Sequence, residues 1–285
     1  MTNRGTAHQA SLAARLASEI LLATREGPAL AACTVISSPD GTSVQVGAKM
    51  LGYADASVLG SLDAGPLNDS VGAVALAAIP RHAAETYAFR PDGVRLEGRR
   101  EVAAAEAAVE VLVEVMEPAP TLLVVGAGHV GRALAEIGAL LGMSVAVLDD
   151  REDYADPERL PFADRVICGE VSTELDRFAV TPNTYVVLVS RGHTLDEEAL
   201  RHVVERGAAY VGMIGSQRRT RTVLEHLREE GISSEALGRV FTPIGLDIGA
   251  ETPAEISVAV LAEIIFQRRG GGALPMSEYG RTQLR

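Results

Sequence analysis

Between Leu122 and Asp150 the chain reads LLVVGAGHVGRALAEIGALLGMSVAVLDD, and this stretch restricts the possible folds more than any other. Leu122 to Val125 is a short apolar run of the kind that forms a fully buried strand. Gly126, Gly128 and Gly131 follow at once in the spacing G-x-G-x-x-G. Val130, Leu134, Ile137, Leu140 and Leu141 then return at steps of three and four, which predicts a helix. A second strand is expected at Val145 to Leu148, ending in Asp149 and Asp150. Glycines at this spacing serve a tight turn, a close backbone approach to a pyrophosphate, and close helix–strand packing. The helix N-terminus offers free N–H groups and a partial positive charge to phosphates, with His129 and Val130 at its start. Asp149 lies 23 residues beyond Gly126, where an acid accepts hydrogen bonds from an adenosine ribose. Asp150 and Arg151 adjoin it. The expected ligand is NAD, with NADP admitted because an arginine near that acid accommodates a 2′-phosphate.

The order strand, helix, strand continues to Arg268, with further strands expected at Ala163 to Cys168, Tyr185 to Val189 and Tyr210 to Ile214. That alternation marks a parallel sheet covered on both faces. Helices are expected at Leu195 to Glu205, Gln217 to Glu230 and Pro253 to Arg268, the last opening with Thr252, Pro253 and Glu255 as a capping box. Before this region the pattern is mixed. An amphipathic helix at the start precedes strand-like runs, turns at Pro39-Asp40-Gly41 and Pro91-Asp92-Gly93, and a period-two strand from Val109 to Val115. The expectation is an α/β chain in which a smaller α+β domain, residues 1–117, precedes a Rossmann-type parallel-sheet domain, residues 118–268. A flexible tail, residues 269–285, follows.

In open parallel sheets, ligands bind beyond the carboxyl ends of the strands. Ser190-Arg191-Gly192-His193 follows one such strand. Arg191 can hold an anion, and His193 can act as acid, base, metal ligand or local hydrogen-bonding post. Thr194 with Glu197 is expected to cap the next helix. Gly215 and Ser216 lead into a helix start bearing Arg218, a setting suited to a phosphate or carboxylate. The loop Pro243 to Ala250 is glycine-marked and apolar, and Asp247 either reaches into the site or caps locally.

The formal charge is −12, which disfavours nucleic acid or an anionic membrane as partner. No run reaches the roughly 18 apolar residues of a bilayer span. The first residues lack a compact apolar core with a cleavage site, so a cytoplasmic location is expected. Cys33 and Cys168 lie in separate strand-like runs and read as buried free thiols. No metal-ligand cluster and no G-x-S-x-G elbow occurs, so no metal site of the chain's own is expected.

At the segments GAGHVGRALA (126–135), DDR (149–151), SRGHTLD (190–196), YVGMIGSQRR (210–219) and PIGLDIGAETPAEI (243–256), the chain resembles the xanthine dehydrogenase accessory factor (XdhC/CoxI) family. The resemblance implies a Rossmann domain joined to a smaller N-terminal domain, a homodimer, and a part in sulfuration and insertion of the molybdenum cofactor of molybdenum hydroxylases. Gly47-Ala48-Lys49-Met50-Leu51 fits the family as well. Where the family has glycine-glycine-cysteine-x-glutamate, this chain has Ala64-Gly65-Pro66-Leu67-Asn68. Proline has no thiolate to ligate molybdenum or relay sulfur. The first expectation is thus an accessory factor, working with a molybdenum hydroxylase or a cysteine-bearing relative. The alternative is an NAD(P)-dependent oxidoreductase of a small anionic metabolite, with His193, Arg191 and Asp247 as its catalytic groups. A third reading is a nucleotide-sensing or structural protein.

Overall fold

A computed structural model describes residues 3–62, 65–82, 84–98, 101–102 and 108–278; the side chains of residues 3–11 and of His193 lie outside the described part. The chain divides into two compact units, Met1–Pro118 and Ala119–Arg285.

The first unit is built on strands β1 (Leu30–Ser37), β2 (Lys49–Tyr53), β3 (Val58–Gly60), β4 (Ala84–Phe89), β5 (Arg95–Leu96) and β6 (Val109–Met116). They form an antiparallel sheet in the order β3-β2-β1-β6-β4-β5. Side chains of a strand alternate between faces, and β1 at the centre is apolar on both. Ala31, Cys33 and Val35 pack under helix α2 (Gly65–Ala78), which turns Leu67, Val71, Ala75 and Ala78 inward at helical spacing. Leu30 and Ala32 point the other way, against Leu16 and Ala23 of helix α1 (Asn3–Arg25).

The second unit holds strands β7 (Thr121–Val125), β8 (Ser144–Asp149), β9 (Arg165–Cys168), β10 (Thr184–Leu188), β11 (Tyr210–Met213) and β12 (Val240–Phe241). All pair in parallel, in the order β12-β11-β10-β7-β8-β9. The chain builds outward from β7 in one direction, then returns to β7's other side at β10 and builds the opposite way. That reversal is the doubly wound arrangement, and it leaves a crevice beyond the ends of β7 and β10. Helices α3 (His129–Leu140) and α8 (Pro253–Arg269) cover one face through Leu134, Ala135, Val260, Leu261 and Ile264. Helices α4 (Val171–Arg177), α5 (His193–Val203), α6 (Gln217–Glu229) and α7 (Ser234–Leu237) cover the other. The strand β12, only two residues long, is not signalled by the sequence. Phe241 stacks on Tyr210 at a centroid distance of 4.5 Å, and this ring contact joins β12 to its neighbour. The Thr252–Glu255 capping box is formed at the start of α8. Of the tail, residues 279–285 lie outside the described residues.

Candidate dinucleotide site

The turn from β7 into α3 lies at the reversal point, and its glycines have separate tasks. Gly126 has φ +111° and donates its N–H to the Leu148 carbonyl at 2.8 Å, and a Cβ there would lie 2.6 Å from the Val189 carbonyl oxygen. A Cβ on Gly131 would lie 1.8 Å from the Gly126 carbonyl oxygen, so only glycine lets the helix pack this close to the turn. Gly128 differs: nothing lies within 4 Å of its Cβ direction, and as N-cap it makes no side-chain capping bond. The start of α3 is therefore without a side-chain cap and has free space at Gly128, an open cradle that suits an anionic ligand group. His129, exposed, and Val130 begin the helix beside it. Ser257 of α8 donates to the Pro253 carbonyl at 2.7 Å and lies 3.2 Å from that of Val130, tying α8 to this turn.

Asp149 ends β8 as expected, but its carboxylate is turned inward and only 3% exposed. Its Oδ2 accepts from the Ala127 N–H at 2.7 Å and from Arg151 Nη2 at 2.9 Å. Its Oδ1 accepts from the Arg151 N–H at 3.0 Å and from Arg151 Nε at 2.8 Å. A carboxylate has about four lone-pair sites, and all are taken. Burial alone would raise the Asp149 pKa, but the Arg151 and Ala127 hydrogen bonds outweigh it and hold the carboxyl below its ordinary value. The expected ribose acceptor is thus, in this geometry, a brace between the glycine turn and the end of β8. The physical reason is a competing donor two residues away, which a position count does not reveal.

Asp150 reaches across the crevice to Arg191, Oδ2 to Nη2 at 2.8 Å. Gly126, Asp149, Asp150, Arg151, Ser190 and Arg191 line the space between, which is about 10 Å³. The Ser190 N–H donates to Asp196 Oδ1 at 3.0 Å, and its hydroxyl to the Gly192 carbonyl at 3.0 Å. Asp196, buried in the first turn of α5, ties this loop to the helix; the expected cap from Thr194 and Glu197 is not what starts α5, since Gly192 is its N-cap without a side-chain bond. His193 is the first residue of α5, and its side chain lies outside the described residues. Gly215, Ser216 and the exposed Arg218 stand at the end of β11, one strand farther out than β10. Asp247, exposed, stands on the loop after β12, farther still. That loop leans on α8: Glu263 Oε2 accepts from the Gly245 N–H at 3.0 Å and from the Tyr210 hydroxyl at 2.5 Å. Burial, then the bond to Glu263, pushes the Tyr210 phenol above its ordinary value.

Two groups behind Arg151 are absent from the sequence expectations. Tyr154 lies face-on to Arg151, with Cζ 3.5 Å from the ring centroid, and Arg159 lies over the same ring at 4.7 Å. Their signal was available as an arginine followed three residues later by an aromatic residue.

In the first unit, Lys49 Nζ donates to Thr34 Oγ1 at 2.7 Å beside a cavity of about 580 Å³ that α1 shares with Gln45 and Ser61. Pro66 stands in the first turn of α2, where its missing N–H costs nothing. Asn68 accepts from the Leu62 N–H at 2.8 Å and donates to Ser61 Oγ at 2.9 Å, holding the loop into α2. Cys33 is buried, and burial pushes its thiol up to about 12. The residues of this unit therefore do not fit a thiolate-held molybdenum group. Cys168, expected inside, is exposed, because β9 is the edge strand of its sheet. Among the described residues no group of three or more His, Cys, Asp or Glu side chains is placed to hold a metal ion. Among them, too, no helix is long and apolar enough to cross a membrane.

Comparison with known proteins matches these two units to two family models. One, described as the XdhC Rossmann domain, covers residues 122–264; the other, described as the XdhC and CoxI family, covers residues 23–90. YqeB of Escherichia coli (strain K12) is 32% identical over 227 residues, which are 79% of this chain and 41% of that protein. A Bacillus subtilis (strain 168) protein, named as a probable xanthine dehydrogenase subunit, is 31% identical over 159 residues, 56% of this chain and 46% of that protein. The chain thus spans less than half the length of these curated relatives. A crystal structure from Bacillus halodurans, described as a xanthine dehydrogenase, matches 93% of this chain and 98% of its own, with TM-score 0.51 at 18% identity, a likeness of fold. With the Rossmann model matching half of its length and the second model falling within the first unit, the chain belongs to the XdhC and CoxI family.

Proposed function

We propose that the second unit binds an adenine dinucleotide, NAD or NADP, and that the chain serves as an accessory factor for a molybdenum hydroxylase of the xanthine dehydrogenase type. The observation that carries the first part is the open cradle at Gly128, set at the reversal point of the sheet and ahead of the uncapped N-terminus of α3. Gly126, Gly128, His129 and Val130 would hold the pyrophosphate, and Asp150, Arg151, Ser190 and Arg191 would surround the adenosine end. With its lone pairs filled and its charge matched by Arg151, Asp149 discriminates little between a 2′-hydroxyl and a 2′-phosphate. A bound nicotinamide dinucleotide supplies hydride transfer.

The accessory part is supported by family membership and by the relative named for a xanthine dehydrogenase subunit. Because the first unit offers no accessible thiolate, the sulfur-handling group comes from elsewhere in this reading, from the hydroxylase or from a cysteine-bearing relative. The chain would act as a homodimer in the cytoplasm. Titration calorimetry of the full chain with NAD and NADP tests the nucleotide part, and absence of heat with both defeats it. Co-expression with a molybdenum hydroxylase tests the accessory part, the expected result being more active hydroxylase. Dinucleotide turnover on a small metabolite, with no effect on any hydroxylase, would move the chain to the oxidoreductases.

A further inference from the structure

We propose that Arg151 is the platform on which the adenine ring of the dinucleotide stacks, with Tyr154 as its backing and Asp149 as its edge clamp. The inference rests on dinucleotide binding by the second unit and names the residue that sets affinity for the base.

A guanidinium is planar, so it has an edge and two faces. The edge of Arg151 is fixed: Nε and Nη2 each donate to a different oxygen of Asp149, at 2.8 and 2.9 Å. One face is covered by the Tyr154 ring, with Cζ 3.5 Å from the centroid. That ring is itself held. Its backbone N–H and that of Ala155 both donate to the Arg151 carbonyl, at 3.0 and 2.9 Å, closing a turn. Arg159 lies over the ring, and its guanidinium bonds to the Asp153 carbonyl. Ala155 and Leu160 anchor the segment in the core. The group left partly exposed, at 25% for the Arg151 side chain, borders the crevice beside Gly126, Asp150 and Arg191.

This is a built surface rather than a loose side chain. Purine bases stack on guanidinium and aromatic planes without needing hydrogen-bond readout. A plane already immobilised loses little freedom when a base lands on it, which favours binding. The two acids then divide their work. Asp149 is a positioning residue that holds the Arg151 plane and, through the Ala127 N–H, the glycine turn in one register. Asp150 and Arg191 close the outer rim, and an exposed pair of this kind opens at little cost when a base enters.

The test uses the full chain with ADP-ribose and NAD in titration calorimetry, alongside Arg151→Lys and Tyr154→Leu. Lysine keeps the charge opposite Asp149 but has no plane. Arg151→Lys is expected to weaken ADP-ribose and NAD about tenfold, and Tyr154→Leu by a similar factor, as base stacking does. Ribose 5-phosphate, which has no base, serves as competitor, and its ability to displace NAD should not worsen. Affinities unchanged in both variants overturn the platform while leaving dinucleotide binding in place. If Arg151→Lys does not fold, Tyr154→Leu decides alone, because it leaves the Asp149–Arg151 clamp intact. Absence of ADP-ribose and NAD binding by the unaltered chain overturns the platform and the dinucleotide reading together.

Discussion

Gly131 and Gly128 belong to one motif, yet alanine should affect them in opposite ways. At Gly131 a Cβ would lie 1.8 Å from a backbone carbonyl oxygen, so α3 and the turn must separate by roughly 1.5 Å to reach ordinary contact. Alanine in a helix recovers about 1 kcal/mol of propensity over glycine. Overpacking against rigid backbone costs about 3 kcal/mol or more. The net loss is about 2–3 kcal/mol, which in a unit of this size lowers the melting temperature by about 5–10 °C. Gly128 has φ −68° and ψ −168°, a conformation open to any residue, and a Cβ there meets nothing within 4 Å. Alanine is a poorer N-cap than glycine by roughly 0.5–1 kcal/mol, and the stiffer unfolded chain returns about as much. Melting should therefore change little. The new methyl, however, occupies the cradle, and NAD affinity should fall at least about tenfold, or 1.4 kcal/mol. Differential scanning calorimetry and titration calorimetry on both variants decide the matter. Equal melting losses at the two positions, or undiminished NAD binding by Gly128→Ala, would refute this division of labour.

Asp149 has a folded-state pKa below its ordinary value, so its contribution to stability is present above about pH 4 and lost as pH falls through the folded value. The stability gap between the unaltered chain and Asp149→Asn should accordingly be widest near neutrality and close in acid, and a gap that grows on acidification would contradict the bracing role. Cys33, with its thiol pushed up to about 12, should resist alkylation at pH 8 until denaturant is added, whereas the exposed Cys168 should react in the folded protein; mass spectrometry that finds both labelled at equal rates would overturn the burial of Cys33. Glu263→Ala strips partners from the Tyr210 hydroxyl and the Gly245 N–H, and should cost about 2–4 kcal/mol in urea unfolding; a loss under about 0.5 kcal/mol would mean that the loop does not depend on it.

Much of the second unit was legible in the sequence because its signals are local. The apolar run of β7, the glycine spacing and the periodicity of α3 fall within 20 residues of one another and fix a βαβ unit without outside help. The Thr252–Glu255 cap likewise depends on neighbours three residues apart. The reading of Pro66 also needed only the chain, since proline lacks a thiol wherever it stands.

What only the tertiary structure decided is which partners these residues meet. Asp149 was placed correctly along the chain, but its role turned on Ala127, 22 residues away, and on the direction taken by the Arg151 side chain. Asp150 and Arg191 meet across 41 residues, and Tyr210 and Glu263 across 53, separations at which spacing carries no information. Cys168 and Cys33 lie in similar apolar runs, and only the strand order shows that β9 is an edge while β1 is central. Periodicity reports which way a side chain points within its own element. Hydrogen-bond competition and sheet position are set by elements distant in the chain, and those are fixed only when the sheet assembles.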